Sequence, residues 1–416
     1  MMRVIHFKSF QSWYNLAIAL VIFLQTVFYK KIGLGIIVFV LATIVGVVRK
    51  HLEFKFNIIL ALFIAFFLAY AIGILFTENP QDIGKYMESK LSYVAFPILF
   101  FFRPKTFKID LRWPGLALIM GVIIVSIIGL INWYSYISIL GFRASIYQFS
   151  HVHHPTYFAA YLFLAMGLAV YGWQQKWTGF TSLTVVLFLA FGSVMTALTI
   201  SLAAVLYYFS VVIILGVYFF NKRFGKKWAL IVGIGVMMLM GIFIMSTDLR
   251  YDVSNTSISI FEYCKDPELF LKNANRYLAG NEVRLVMWTV SILLIIQHPF
   301  GVGTGNVDQY LTEKLMTYDL KDLAMLHYNP HNQYLQTFLE IGVVGFAIMI
   351  AIIFLSAKYA WRSKNWLLLI IVSSLAFNCF FESMLQRQSG IVFYTFWICL
   401  LIVMQVGSTQ KNKYQN

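Results

Sequence analysis

Apolar residues in this chain come in long runs, and short polar stretches separate them. The runs cover Trp13–Tyr29, Ile32–Val48, Asn57–Phe76, Leu91–Phe102, Pro114–Ile137, Pro155–Trp173, Thr181–Met195, Ile200–Phe220, Trp228–Ser246, Leu335–Leu355, Trp366–Phe381 and Ile391–Val406. Most approach the roughly 20 residues a helix needs to cross a bilayer. Backbone groups in lipid must bond within their own segment, so these runs are expected to be helices. A β-barrel would alternate apolar and polar positions over about ten residues, a pattern not seen here. The expected fold is all-α: a single polytopic membrane domain over residues 1–416, with about twelve transmembrane helices. Leu91–Phe102 is short, and either tilts or extends back through Tyr86 and Met87. The run after Trp13 reads as a first membrane helix and not a cleaved signal, because many more spans follow it. No internal repeat or low-complexity tract is visible.

The periodicity changes between Thr247 and Pro330, residues 247–330 forming one long polar loop of mixed charge. A loop this long in a compact protein is usually functional. Within it, "NEVRLVMWTVSILLIIQHPF" has one apolar helical face, opens with Arg284 and ends at Pro299. It reads as an amphipathic helix near the outer surface, not a span.

Composition fits this picture. Of 416 residues 60% are hydrophobic and 12% charged, with mean hydropathy +0.76, against roughly 25% charged in soluble domains. The formal charge of +15 does not require nucleic acid, because Lys and Arg collect in cytoplasmic loops. With the N-terminus inside, the inner loops hold Arg49, Lys50, Lys55, Arg103, Lys105, Lys108, Arg112, Lys222, Arg223 and Lys358 among others. The short outer loops hold few basic residues, with Lys30 and Lys31 the one local conflict. Both termini are therefore expected on the cytoplasmic side of the membrane, and the long loop on the outer side. Three cysteines, Cys264, Cys379 and Cys399, form no metal or disulfide pattern.

Polar residues collect at the outer ends of the spans. In "YNPHNQYLQTFLEIGVVGF", His331 and Asn332 stand where a helix begins. An imidazole can take a proton from a hydroxyl near neutral pH, and a helix N-terminus favours anions. The pair also fits a plain N-cap. Arg284, one turn before Trp288, carries a fork suited to a diphosphate, or it is an interfacial arginine snorkelling beside an interfacial Trp. In "HPFGVGTGN", Gly301, Gly303 and Gly305 alternate, marking a place where backbone packs or bends tightly and not a dinucleotide fingerprint. "FSHVHHPTYFAAY" sets His151, His153, His154 and Tyr157 at another outer mouth, with Arg143 in the same loop. Lacking a nearby Cys or carboxylate at ligand spacing, it reads as a substrate-facing lip rather than a metal site. Glu340 and Glu382 are acids in spans, where charges are costly and usually functional or paired. Glu340 lies about 180° around the helix from His331, and Arg387 is a structural partner for Glu382.

Taken together, "RLVMW…HPFGVGTGN" and "HNQYLQTFLEIGVVGF" resemble the signature of the bacterial O-antigen ligase and O-antigen polymerase superfamily, most strongly over residues 181–346. The resemblance implies an integral membrane glycosyltransferase acting on the periplasmic face. Its donor is a glycan on undecaprenyl diphosphate. Its acceptor is a hydroxyl of the lipid A core in ligases, or another lipid-linked repeat in polymerases. No cofactor, metal or nucleic acid is implied, and transfer inverts the anomeric carbon. By similarity His331 is the base and Arg284 the diphosphate-binding cation. Asn332, Arg143, Arg276, His154, Tyr157 and Glu340 are expected substrate contacts. One departure stands out: many members carry Ser-Arg where this chain has Ser201-Leu202. Arg143, Arg276 or Arg387 would then supply the missing cation. A lipid-glycan transporter is the non-enzymatic alternative. It predicts charges deep in many spans, whereas the mid-span regions here are nearly free of charge.

Overall fold

The computed structural model describes residues 9–78, 83–246, 249–274 and 281–409. The first half of the chain runs through α1 (Phe10–Val27), α2 (Ile32–Val48), α3 (Ile58–Gly73), α4 (Ile83–Lys90), α5 (Ser92–Phe101), α6 (Arg112–Ser145), α7 (Pro155–Gln174), α8 (Ser182–Leu198), α9 (Leu202–Phe224) and α10 (Lys226–Ser246). Five shorter helices follow, α11 (Leu249–Lys265), α12 (Pro267–Lys272), α13 (Asn281–Gln297), α14 (Val307–Thr317) and α15 (Lys321–Met325). The chain then returns to the bundle with α16 (Gln333–Arg362), α17 (Trp366–Asn378) and α18 (Gln388–Thr409).

Among the described residues eight helices are long and apolar enough to cross a membrane: α1, α2, α3, α6, α7, α9, α10 and α16. Helices α8 and α17 are shorter but apolar, as is α18 over Gln388–Met404. Every expected span coincides with a helix, although α5 has only ten residues and includes Pro97. The chain turns at Leu91, so Tyr86 and Met87 belong to a separate helix, α4, rather than to an extension of α5.

Local sequence sets where the helices start. Asn57, Thr181, Ser201, Asn332 and Asn365 each cap the helix they precede with a side-chain oxygen, satisfying N–H groups that have no partner inside the helix. Pro155 opens α7, where its missing N–H costs nothing. At one end of the bundle a small antiparallel pair, β1 (Leu52–Phe54) with β2 (Phe102–Pro104), ties the α2–α3 connection to the α5–α6 connection. That end carries Arg49, Lys50, Arg103 and Lys105. The connections before α7 and α16, and the one joining α17 to α18, meet at the opposite end.

Helices α7 and α18 form the centre. From Ile391 to Val403 every α18 side chain is buried, packed against α5, α17 and neighbouring helices. Helix α10 is peripheral, with only 11% of its apolar window buried, and packs mainly on α9. The loop after α10 has its own small core. Val283, Val286, Met287, Val290 and Leu294 of α13 face Leu311 and Leu315 of α14 and Leu339 of α16. Their spacing makes one stripe along α13. Helix α13 thus buries one apolar face against α14 and α16.

Candidate functional site

Two breaks in regular backbone build the site. The first is in α16, where Ile341 and Gly342 leave helical geometry and Gly342 takes φ +67°. A break in an apolar helix exposes carbonyl and N–H groups that need partners. The glycine loop supplies them. Val302 N–H donates to Leu339 O at 2.7 Å, Gly303 N–H to Glu340 O at 3.2 Å, and Val343 N–H to Pro299 O at 3.1 Å. Gly301, Gly303 and Gly305 all have φ near +90°. A Cβ on Gly342 would collide with the backbone of Phe300, and one on Gly301 would sit 2.6 Å from Gly342 N. The loop also reaches the end of α3, through Thr304 Oγ1 to Tyr70 O at 2.7 Å and Asn306 Nδ2 to Phe76 O at 3.0 Å. The two halves of the sequence signature are therefore one structural unit. His298, at the edge of this loop, packs its ring against Tyr310.

The second break is the segment from Cys379 to Arg387, between α17 and α18. It is stitched to the start of α16 at four points. Gln333 N–H donates to Cys379 O at 2.7 Å, and Leu385 N–H to Gln333 Oε1 at 2.6 Å. Ser383 Oγ donates to Asn329 Oδ1 at 3.2 Å, and His331 Nδ1 lies 3.3 Å from Glu382 Oε2. Asn329 also accepts His331 N–H at 2.8 Å, which holds His331 at φ +46°, a region non-glycine residues rarely occupy.

A carboxylate accepts and does not donate, so in its neutral form His331 carries its proton on Nδ1 and keeps the Nε2 lone pair. The imidazole is a quarter exposed, whereas Glu382 is 8% exposed. His154 Nε2 stands 3.8 Å from the same Glu382 oxygen. Burial opposes ionisation of Glu382. The hydrogen bond from His331 and the charges of His331, His154 and Arg284 outweigh it and hold the carboxyl down at about 2. The pair with Arg387 suggested by sequence does not form. Glu382 faces the two histidines instead.

Arg284, at the start of α13, is half-buried and acts electrostatically on both Glu382 and His154. Arg387 is exposed at the start of α18, close enough to influence His154 and Tyr157. Burial lowers the tendency of His154 to protonate, Glu382 opposes that, and Arg387 reinforces it. Among the described residues neither the buried Nδ1 of His154 nor the buried Nε1 of Trp288, one turn beyond Arg284, has a hydrogen-bond partner.

The remaining expected residues separate. Asn332 is buried and caps α16, its Oδ1 accepting from Tyr334 and Leu335 N–H at 2.9 and 3.1 Å. Tyr157 is buried and donates its hydroxyl to Ser383 O at 3.1 Å, so it anchors the Glu382 segment. Glu340 is 1% exposed. Its carboxylate accepts from Gln386 Nε2 at 2.9 Å, below the mouth and not in it. The three clustered histidines part company. His151 is exposed, and His153 donates Nε2–H to Thr26 O at 2.7 Å, burial pushing its protonation down to about 4. Only His154 reaches the site. Arg143 follows the bend of α6 at Gly141, and its side chain is not among those described. Arg276 lies outside the described residues. Ser201 caps α9 with its Oγ 3.3 Å from Thr156 Oγ1 in the first turn of α7, so Leu202 stands at the same end of the bundle as His154. Glu382, Asn329 and Ser383 were not read as site residues in the sequence. Their partners lie about fifty positions away, and only the acid in an apolar run signalled anything.

A polytopic helical membrane protein with a polar mouth at one end, built from histidine, carboxylate and guanidinium groups, is the class that fold and site define. Residues 185–350 match the family described as O-antigen ligase. That segment contains both Arg284 and His331. An uncharacterized protein of Haemophilus influenzae is 24% identical over 196 residues, a match covering 44% of this chain. The match spans about half, 47%, of that relative's length.

Proposed function

We propose that the protein transfers a glycan from an undecaprenyl-diphosphate carrier to a sugar hydroxyl at the outer membrane face, as an O-antigen ligase-type enzyme. The observation that carries this reading is the pairing, at a helix mouth, of His331, inside the segment that matches the O-antigen ligase family, with the buried Glu382 beyond it. His331 Nε2 accepts the acceptor's hydroxyl proton as that oxygen attacks the anomeric carbon. The bond from the anomeric carbon to the diphosphate oxygen breaks, and its electron pair leaves with undecaprenyl diphosphate. Glu382 fixes the tautomer and stabilises the imidazolium that forms. Arg284 offsets the charge developing on the leaving group, and Arg387 is the better-supported second cation, filling the role lost at Leu202. A single displacement inverts the anomeric carbon and needs no metal.

This reading includes twelve crossings, with α5, α8, α17 and α18 added to the eight longer helices, and both termini in the cytoplasm. The basic β1–β2 end supports that orientation. The acceptor is the lipid A core or another glycan. Joining of lipid-linked repeats, as in a polymerase, is the second reading. Deleting the gene and analysing carrier-linked glycans separates the two. Long chains stranded on the carrier support ligation, and single repeats with short capped surface products support polymerisation. An unchanged carrier pool in a strain with no second copy of the gene contradicts both.

A further inference from the structure

Beneath the mouth lies a buried pair of opposite charges that the transfer chemistry does not use. Lys90, the last residue of α4, has no solvent exposure. Its ammonium donates to Leu385 O at 2.8 Å and to Gln386 Oε1 at 3.0 Å. It also sits over the rings of Tyr70 and Tyr86, 4.5 and 4.8 Å from their centroids. The Tyr86 hydroxyl donates to the same Gln386 oxygen. From the other side, Gln386 Nε2 donates to Glu340 Oε2 at 2.9 Å, which Gln336 Nε2 approaches at 3.4 Å. One amide therefore bridges a buried cation and a buried anion. Its oxygen must face the lysine and its nitrogen the glutamate, because the flipped amide would oppose like to like at both ends.

The bridge fixes the segment that carries Glu382 and Arg387. Leu385 is held through its carbonyl by Lys90 and through its N–H by Gln333, and Gln386 is gripped from α4 and from α16. The segment has no regular helix or strand of its own between Cys379 and Arg387. The bridge adds to the holds from Gln333, Asn329 and Tyr157.

We propose that Lys90, Gln386 and Glu340 form a buried charge clamp whose role is to position the Glu382–Arg387 segment against His331. The proposal rests on the reading of His331 and Glu382 as the proton-accepting pair. The clamp residues are positioning residues and touch neither donor nor acceptor. A charge clamp and a diphosphate-binding lysine predict opposite outcomes when both charges are removed. Removing one partner leaves the other charge buried and uncompensated, which is more damaging than neutralising both.

The test is a double-mutant cycle on the full-length protein in liposomes, with transfer from an undecaprenyl-diphosphate-linked glycan and thermal unfolding measured side by side. Lys90→Met and Glu340→Gln should each lower kcat by about tenfold or more, with donor KM little changed. Lys90→Met/Glu340→Gln should recover only part of the loss, since the uncompensated charge is gone but the hold on Leu385 and Gln386 is not restored; full recovery to wild type would show that the segment does not need the clamp. Gln386→Glu should fail alone and recover with Glu340→Gln, because that exchange moves the carboxylate next to Lys90 and keeps one pair. A double variant no more active than Lys90→Met, with raised donor KM, would overturn the clamp and make Lys90 a substrate cation. Unfolding midpoints follow the same cycle without any transfer assay. If wild type transfers nothing, the functional reading fails alone and the midpoints still decide the clamp. Midpoints that add without coupling overturn it.

Discussion

His331 sits at φ +46° with its N–H on Asn329 and its ring on Glu382. A non-glycine residue held there costs about 1–3 kcal/mol, a strain that persists where surroundings over-determine it. The strain aims Nε2 outward while Nδ1 stays on the carboxylate. Arg284→Lys should lower transfer sharply, because a point charge does not replace a bidentate fork; full retention of turnover and donor affinity would mark Arg284 as an interfacial anchor only. Glu382→Gln should reduce kcat by on the order of 10²- to 10⁴-fold by freeing the wrong tautomer. It should also change the pH dependence of stability. The Glu382 carboxyl is held at about 2 against an ordinary 4.5, so the folded state favours its ionised form. Its stabilisation is complete above 4.5 and is lost as pH falls towards 2. Thermal unfolding between those values should flatten in the Gln variant, and an unchanged acid profile would contradict the assigned surroundings of Glu382.

At the scale of elements, the break in α16 is the joint on which the site turns. It lets the glycine loop hydrogen-bond into an apolar helix, and it ends the helical turn that carries Glu340. Gly342→Ala puts a Cβ against Phe300 at φ +67°, so unfolding stability should drop by about 2 kcal/mol or more. Gly33→Ala, in open space within α2, should be neutral or stabilising by up to about 1 kcal/mol. Equal effects at both positions would argue against the break. Much of this level was readable in the sequence. Apolar runs marked every membrane-length helix of the bundle, though not α4, and the alternation of Gly301, Gly303 and Gly305 announced tight backbone packing. The α16 break was not readable, because Gly342 looks like any small residue in a membrane helix. The turn at Leu91 was hidden for a similar reason, since α4 and α5 run on without a breaker at their junction.

At the scale of the whole molecule, the bundle works by bringing three distant connections to one end. Residues 151–154, 329–333 and 379–387 meet there, far apart in sequence, the last two joined by side-chain hydrogen bonds and His154 standing 3.8 Å from Glu382. Single positions such as His331 and Arg284 stood out by chemistry and resemblance, but their partners did not. Nothing in the sequence marks Lys90 as buried, and only the packing of α4 against the Glu382 segment shows it. Glu340 read as a substrate contact for the converse reason, since an acid in a span gives no hint of the amide beside it. The inverting, metal-free displacement makes its own prediction: transfer should continue in chelator, and loss of activity restored by zinc would contradict it. The most direct test of the central claim is transfer by purified wild type and His331→Ala in liposomes, supplied with undecaprenyl-diphosphate-linked glycan and a sugar acceptor. The account predicts glycan on the acceptor with wild type, and loss of transfer in a His331→Ala protein that inserts and unfolds like wild type. Undiminished transfer by that variant would contradict it.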